Sequence, residues 1–470
     1  MIKVSNCFHS LGRKTMIDEE ILSCLGEYYP LSKTAYYAKI AEWEAWWRGH
    51  DRSFHEYLEN AAGGGMKRRE LYRMNMAKKI CEDWASIILN DRVRIRISDA
   101  VGEEFVRRVF DDTGFMCAAN RLVERAFATG TGAAIMRLSG VADDEGEFTP
   151  DGCGISFEYV EAAHIIPLST RHGEIVEAAF VSEGMVRGNE CVYLEVHTLE
   201  EDGYVIRNEL FVRENGKLMK SEQAGCADVI RTGSSVPLFS ILTPNIQNSI
   251  DPVSGLGMSV FADAIDCLKG VDLAFNNFCR DIKLGGKKVF INQSLINRDD
   301  SGNVFTPDDV AQQLFVTIGY GYFAENPMIT EHNPDLRCTE NAEAVQSQLS
   351  YLAFRCGLGT HHYTFSENMG RSKLTATQYM GERQDMRQSA AMHQMNARAF
   401  LTGVIRALLF AASDVLGLEV DKNAAISVEF DDTYFTDTES VRARDLRELE
   451  AGVLTAEEYR RKWIDGGENG

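Results

Sequence analysis

No two cysteines stand at CxxC spacing anywhere in the 470 residues. The eleven cysteines run singly from Cys7 to Cys356, an odd, scattered set that suits neither a disulfide framework nor a zinc site. Reduced, buried thiols in a cytosolic compartment are the expectation. The ten histidines are dispersed too, and His50/His55 and His361/His362 lack zinc-site spacing and company, so no metal is expected. A Walker A loop is missing: upstream of Gly286-Lys287 the required glycine is Asp281, and Lys288 stands where Ser or Thr should follow. GxSxG and HExxH are absent as well. These absences argue against an enzyme, with no catalytic residue and no cofactor expected.

Basic charge is in deficit. Lys and Arg number 49 against 70 Asp and Glu, a net charge of −21. That excludes a protein that coats DNA by neutralising phosphates. It leaves room for one past which DNA slides, where weak attraction is useful. The opening residues, MIKVSNCFHSLGRKTMIDEE, hold no apolar core of signal-peptide length, so no signal peptide is expected. The most apolar window, 399–416, is interrupted by Arg406 and Asp414 and is expected to stay out of a membrane.

Two partial motifs have plainer explanations. In ATGTGAAI, Gly130-x-Gly132 is followed by Ile135 where a dinucleotide loop needs its third glycine, and the cluster follows a helix. A helix C-cap turning into a strand is expected there. Asn297-x-Asp299-x-Ser301-Gly302 resembles the front of a calcium loop but has Asp308 in place of the closing Glu, so a hairpin turn is expected.

What is present is a well-ordered series of elements, on a length that suggests about three structural units. Residues 17–92 read as helical, with Trp43, Trp46 and Trp47 as packing residues, and 102–130 as a further helix. From 154 to 240 the period changes to two, with Asn215-Gly216 as a hairpin cue, giving an antiparallel meander. The Pro/Gly/Asn loop PNIQNSIDPVSGLG follows. A helix over 258–283 then carries a seven-residue seam: Phe261, Leu268, Phe275 and Ile282 in one row, Ala264, Val271 and Phe278 in the other. Such a seam packs against another helix at a shallow angle. Asp263, Asp266, Asp272 and Arg280 decorate its remaining faces.

An island of short strands (287–337) separates this helix from a return helix over 340–357. A polar loop then leads to a helix running from 375 to about 413. Its start is sharply written: Thr375 and Gln378 form a capping box, with Leu374 and Tyr379 placed as a hydrophobic staple. A strand at 424–430 and two short helices close the chain. The fold class expected is α+β, predominantly helical.

In that order the elements resemble the portal (head-to-tail connector) proteins of long-tailed bacteriophages, over roughly residues 35–455. The pieces that carry the resemblance are Pro244-Asn245, Asp251 through Gly257, Gly286-Lys287-Lys288 with Phe290, Thr375-Ala376-Thr377, and ERAFATGTGAAI (124–135). The resemblance implies a wing (16–257 and 375–435) after a short extension (1–15), and stem helices at 258–284 and 338–357. It further implies a clip (285–337), a tunnel loop (358–374) and a short crown (436–470). Portals form a ring, commonly a dodecamer, at one capsid vertex of the virion, assembled in the host cytoplasm. Double-stranded DNA passes through the channel. The clip docks the terminase large subunit and later the head-completion or adaptor proteins, and the ring meets major capsid and scaffolding proteins. On that resemblance Arg371, Lys373, His361 and His362 face DNA in the loop, and Lys269, Arg280 and Lys283 are candidates in the stem. A second reading, a minor capsid or head-morphogenesis protein, shares the acidic surface but lacks a channel.

Overall fold

The computed structural model describes residues 34–60, 65–139, 154–186, 189–214, 217–221, 229–286, 288–292, 315–318, 329–365, 376–430 and 438–463. Helices outweigh strands, 46% against 27%, so the mixed α and β class is as expected.

The first helix, α1 (Thr34–Trp47), buries Tyr36, Ile40, Trp43 and Trp46. A single turn, α2 (Arg52–His55), follows, and then the chain departs from expectation. An antiparallel ribbon, β1 (Glu56–Asn60) with β2 (Met66–Glu70), stands where a helical run was expected. Lys, Arg, Glu and Met are good helix formers and gave no local warning; the ribbon is held by distant partners described below. Next come α3 (Met76–Ile88) and β3 (Arg94–Ile97).

The helix expected over 102–130 is two, α4 (Ala100–Thr113) and α5 (Phe115–Thr129), divided at Gly114. There the backbone turns left-handed (φ 60°), a conformation glycine adopts without a Cβ penalty. Gly130 closes α5 in the same way (φ 90°), and a Cβ on it would lie 2.6 Å from the carbonyl oxygen of Gly257. The glycines of ATGTG and SGLG are therefore one feature: two backbones in close approach. Thr131 secures it by accepting from the Gly257 amide (3.0 Å), while Tyr36 Oη donates to the Gly257 carbonyl (2.7 Å).

The period-two region divides between two sheets. β6 (Ile165–Arg171), β7 (Glu174–Val186), β8 (Asn189–Glu200), β9 (Gly203–Glu214) and β10 (Lys217–Ser221) form a sequential antiparallel meander. Glu214 pairs with Lys217, a two-residue connection at the Asn-Gly cue. Before the meander, β4 (Gly132–Ser139) pairs with β5 (Gly154–Glu161); after it, β11 (Val229–Arg231) joins β9 and β12 (Phe239–Leu242) returns to β4.

The helical hairpin comprises α6 (Ile265–Leu284), preceded by a 3-10 turn, and α7 (Cys338–Arg355). Between them β13 (Lys288–Asn292) pairs in parallel with β14 (Phe315–Ile318) and antiparallel with β15 (Ile329–His332). The long helix α8 (Ala376–Phe410) passes into a π-helical turn and then β16 (Ile426–Glu429), which pairs with β3. Helices α9 (Thr438–Glu450) and α10 (Ala456–Trp463) finish the chain.

One core joins α1, α3 to α8 and the strands β3 to β9, β11, β12 and β16. Trp84 (α3), Phe115 and Phe127 (α5) and Phe400 (α8) are fully buried within it, each aromatic worth about 1.5–3 kcal/mol of transfer free energy. By length and composition Gln384–Val415 could cross a bilayer, contrary to the reading of its window, but 61% of that window lies buried in the fold. It serves as a core helix.

Candidate functional site

The hairpin of α6 and α7 is built on the seam of α6. Phe261, Ala264, Leu268 and Val271 are buried, facing Val345, Leu349, Leu352 and Ala353 around the return helix. Farther along, Phe275 and Phe278 are half-buried, and both meet Phe365, edge-on with centroids at 6.4 and 5.6 Å. Ile282 ends the row exposed. Polar contacts close both ends of the helix pair. Arg337 donates to Asp281 at 2.8 and 3.0 Å, Asn341 Nδ2 adds 2.8 Å, and Arg355 reaches the Asp263 carbonyl at 3.0 Å. Arg337 and Asn341 hold the Asp281 carboxyl below the usual carboxylate range.

The faces expected to be decorative are not all free. Asp272, expected on the surface, is buried: it accepts from the Met74 amide (2.8 Å) and from His55 Nε2 (3.0 Å). His55 Nδ1 lies against the backbone of Asp51, 2.9 Å from its amide nitrogen and 3.0 Å from its carbonyl oxygen, which turns Nε2 toward Asp272. One turn on, Asn276 Oδ1 accepts from the Tyr72 amide (3.2 Å). One turn further, Arg280 donates to Tyr57 Oη (3.0 Å) and pairs with Glu59 (3.7 Å). Residues 272, 276 and 280 thus form a polar stripe on α6: Arg280 holds the ribbon itself, while Asp272 and Asn276 hold His55, Met74 and Tyr72 on the segments that flank it. Lys269 pairs with Asp266 (2.9 Å), and Lys283 is exposed in the last turn, where a cation suits the helix dipole.

At the hairpin's base the chain turns toward α8. Trp84 Nε1 donates to the Cys356 carbonyl (3.1 Å), fixing the end of α7 against α3. His361 is exposed. His362 Nε2 (3.2 Å) and Tyr363 Oη (2.8 Å) both bond to Asp83 Oδ2, and Lys79 pairs with the same carboxylate. Burial works to raise the Asp83 carboxyl, but His362, Lys79 and Tyr363 outweigh it and hold it low. The side-chain amide of Gln346 grips the same segment twice, donating to the Tyr363 carbonyl (2.9 Å) and accepting from the Phe365 amide (2.7 Å). Arg371, Lys373 and Thr375 lie outside the described residues, and Gln378 is placed by its backbone in the first turn of α8.

The PNIQN loop is the third part of this joint. The Asn245 amide donates to His393 Nδ1 (3.1 Å), Asn245 Nδ2 to the Met392 carbonyl (2.9 Å), and Asn396 Nδ2 to Thr243 (3.1 and 3.2 Å). The loop is clamped to α8 from both sides. His393 sits against Trp84 and Phe127, with centroids at 4.8 and 5.0 Å. Sequence reading missed Asp83, Gln346 and His393, since nothing in the neighbouring residues marks the partners that the fold brings to them.

Among the described residues no group of three or more His, Cys, Asp or Glu side chains could hold a metal ion. No protein-family model and no curated protein matches the chain.

Proposed function

We propose that the chain is a portal protein: a subunit of a ring at one capsid vertex, through which DNA is packaged and ejected. The ring serves as a docking platform for the terminase and for head-completion proteins. The order of elements supports this reading. Two antiparallel helices flank a strand-rich excursion, the second ends in an anchored turn, and a long helix then crosses the body.

One observation carries it. The helical hairpin already buries a seam of its own, yet Leu273, Ile282, Leu284, Leu336, Tyr351 and Phe354 remain exposed around it. Large apolar side chains clustered on one element mark an interaction surface. In a ring of identical copies, neighbouring hairpins supply the cover. The acidic balance suits the channel role, because a wall of like charge discourages phosphates from sticking.

Mass photometry and negative-stain class averages test the reading. A closed symmetric ring of about twelve copies is the expected result. A monomer at every concentration overturns it, and an open or channel-free assembly favours a minor capsid role.

A further inference from the structure

Among the described residues, one stripe of the long helix α8 lies open. Gln388, Met392, Met395, Ala399, Thr402 and Arg406 follow one another at intervals of four, three, four, three and four residues. At ~100° per residue they fall within about 80° of the helix circumference and run roughly 27 Å along it. None of the six is buried, and Met392 and Met395 are 51% and 56% exposed. The far side of the same helix, with Leu401, Val404 and Leu408, is core. Side chains recurring at three-and-four spacing form a seam for a second helix that crosses at a shallow angle. The turn at Val236-Pro237 walls one side of the seam's C-terminal half, enclosing a groove of about 490 Å³ with Met395, Ala399 and Thr402.

Charge decides what kind of helix fits. Arg398 flanks the seam, Arg406 closes it, and both line the groove. Arg398 Nε donates to the Val428 carbonyl (3.2 Å), and its guanidinium lies over the Phe430 ring (5.4 Å). Arg406 Nη1 donates to the Lys422 carbonyl (2.9 Å). These partners are uncharged, so both cations are held in place without being neutralised. Among the described residues neither forms an ion pair. The neighbouring carboxylates are committed elsewhere or lie off the seam. Glu429 stands opposite Arg94 in the β16–β3 register, Asp414 pairs with Lys422 (2.7 Å), and Asp385 precedes the stripe by about a turn.

The same charges argue against a second copy of the stripe as its cover. Parallel pairing in register sets Arg406 against Arg406, and antiparallel pairing about the midpoint, residue 397, brings Arg398 close to Arg398. Like charges juxtaposed in this way oppose association. A helix that carries carboxylates meets no such penalty.

We infer that this stripe is the docking seam for one helix of a different, acidic protein. That helix buries apolar side chains on Met392, Met395 and Ala399 and sets carboxylates against Arg398 and Arg406. The recognition is of the helix-in-groove kind, in which anchors recur every three or four residues. The two arginines stand about 12 Å apart along α8, so the partner's carboxylates fall roughly two turns apart. Unbranched methionines adapt to the shape of an incoming apolar face. The inference does not depend on the ring reading.

Two synthetic helices, titrated with the full chain and followed by fluorescence anisotropy, test it. Both carry leucines at three-and-four spacing; beside them one has a pair of glutamates two turns apart and the other a pair of lysines. The glutamate helix is expected to bind about ten-fold more tightly or better. Arg398→Glu with Arg406→Glu is expected to reverse that preference. Met392→Ser with Met395→Ser is expected to weaken the glutamate helix by about ten-fold. The serine variant changes only exposed positions and leaves both arginines bonded, so its result stands even where the arginine variant is poorly folded. Equal affinity for the two helices overturns the inference, as does a serine variant that binds the glutamate helix as tightly as the parent. A changed assembly mass of the serine variant by mass photometry gives the seam to a second copy and overturns it too.

Discussion

Trp84 lies where α3, the end of α7 and α8 converge, and His393 lies against its ring. The imidazole accepts from the Asn245 amide through Nδ1, and its surroundings are aromatic. Burial pushes its pKa down from 6.5 to about 4. The neutral ring is the folded form, and an unfolded chain binds the proton more readily. The resulting stability is fully present above pH ~6.5, and is lost as pH falls from there toward ~4. At pH 5 the loss amounts to about 2 kcal/mol relative to pH 7. His393→Gln keeps a side-chain acceptor and removes the titration. Denaturant unfolding at pH 7 and pH 5 is expected to show a smaller pH-dependent difference in the variant, by about that amount. An unchanged difference would place the acid sensitivity elsewhere.

Among elements, the ribbon depends most on a distant partner. Its sequence has the composition of a helix, and the stripe of residues 272, 276 and 280 that holds it and its flanking segments is some two hundred positions away. The ribbon was therefore illegible, whereas α6, α7, α8 and the meander were legible from period, caps and turns. The long helix expected after Thr375 is present over Ala376–Phe410, while Thr375 itself lies outside the described residues. Replacing Asp272 by Ala leaves the buried His55 Nε2 and the half-buried Met74 amide without their acceptor. The expected cost is about 3 kcal/mol in denaturant unfolding. Asp272→Asn keeps one acceptor oxygen and should recover roughly half of it. Hydrogen exchange at the Met74 amide should accelerate in the Ala variant more than in the core of α5. Equal exchange in both places would show that the stripe does not hold this segment locally.

At the scale of the whole molecule, charge and shape make separate contributions. The acidic total of −21 was legible at once, whereas the joint among Asp83, Gln346 and His393 depends on contacts that only the fold creates. Asp83 and Gln346 fix residues 362–365, so the chain leaves this anchor immediately before the stretch that contains Arg371 and Lys373. In the proposed ring, DNA meets a predominantly acidic assembly, and those two cations offer transient bonds to phosphate. Removing one such cation should lower the salt slope of DNA binding by about one. Arg371→Glu with Lys373→Glu removes two per copy and adds two repelling charges. Ring mass by mass photometry is expected to be unchanged. DNA packaged per particle, measured by nuclease protection, is expected to fall several-fold, with the deficit growing as ionic strength drops because repulsion is then less screened. Full packaging by intact rings of the double variant would remove both residues from the channel and leave the acidic wall to conduct DNA without them.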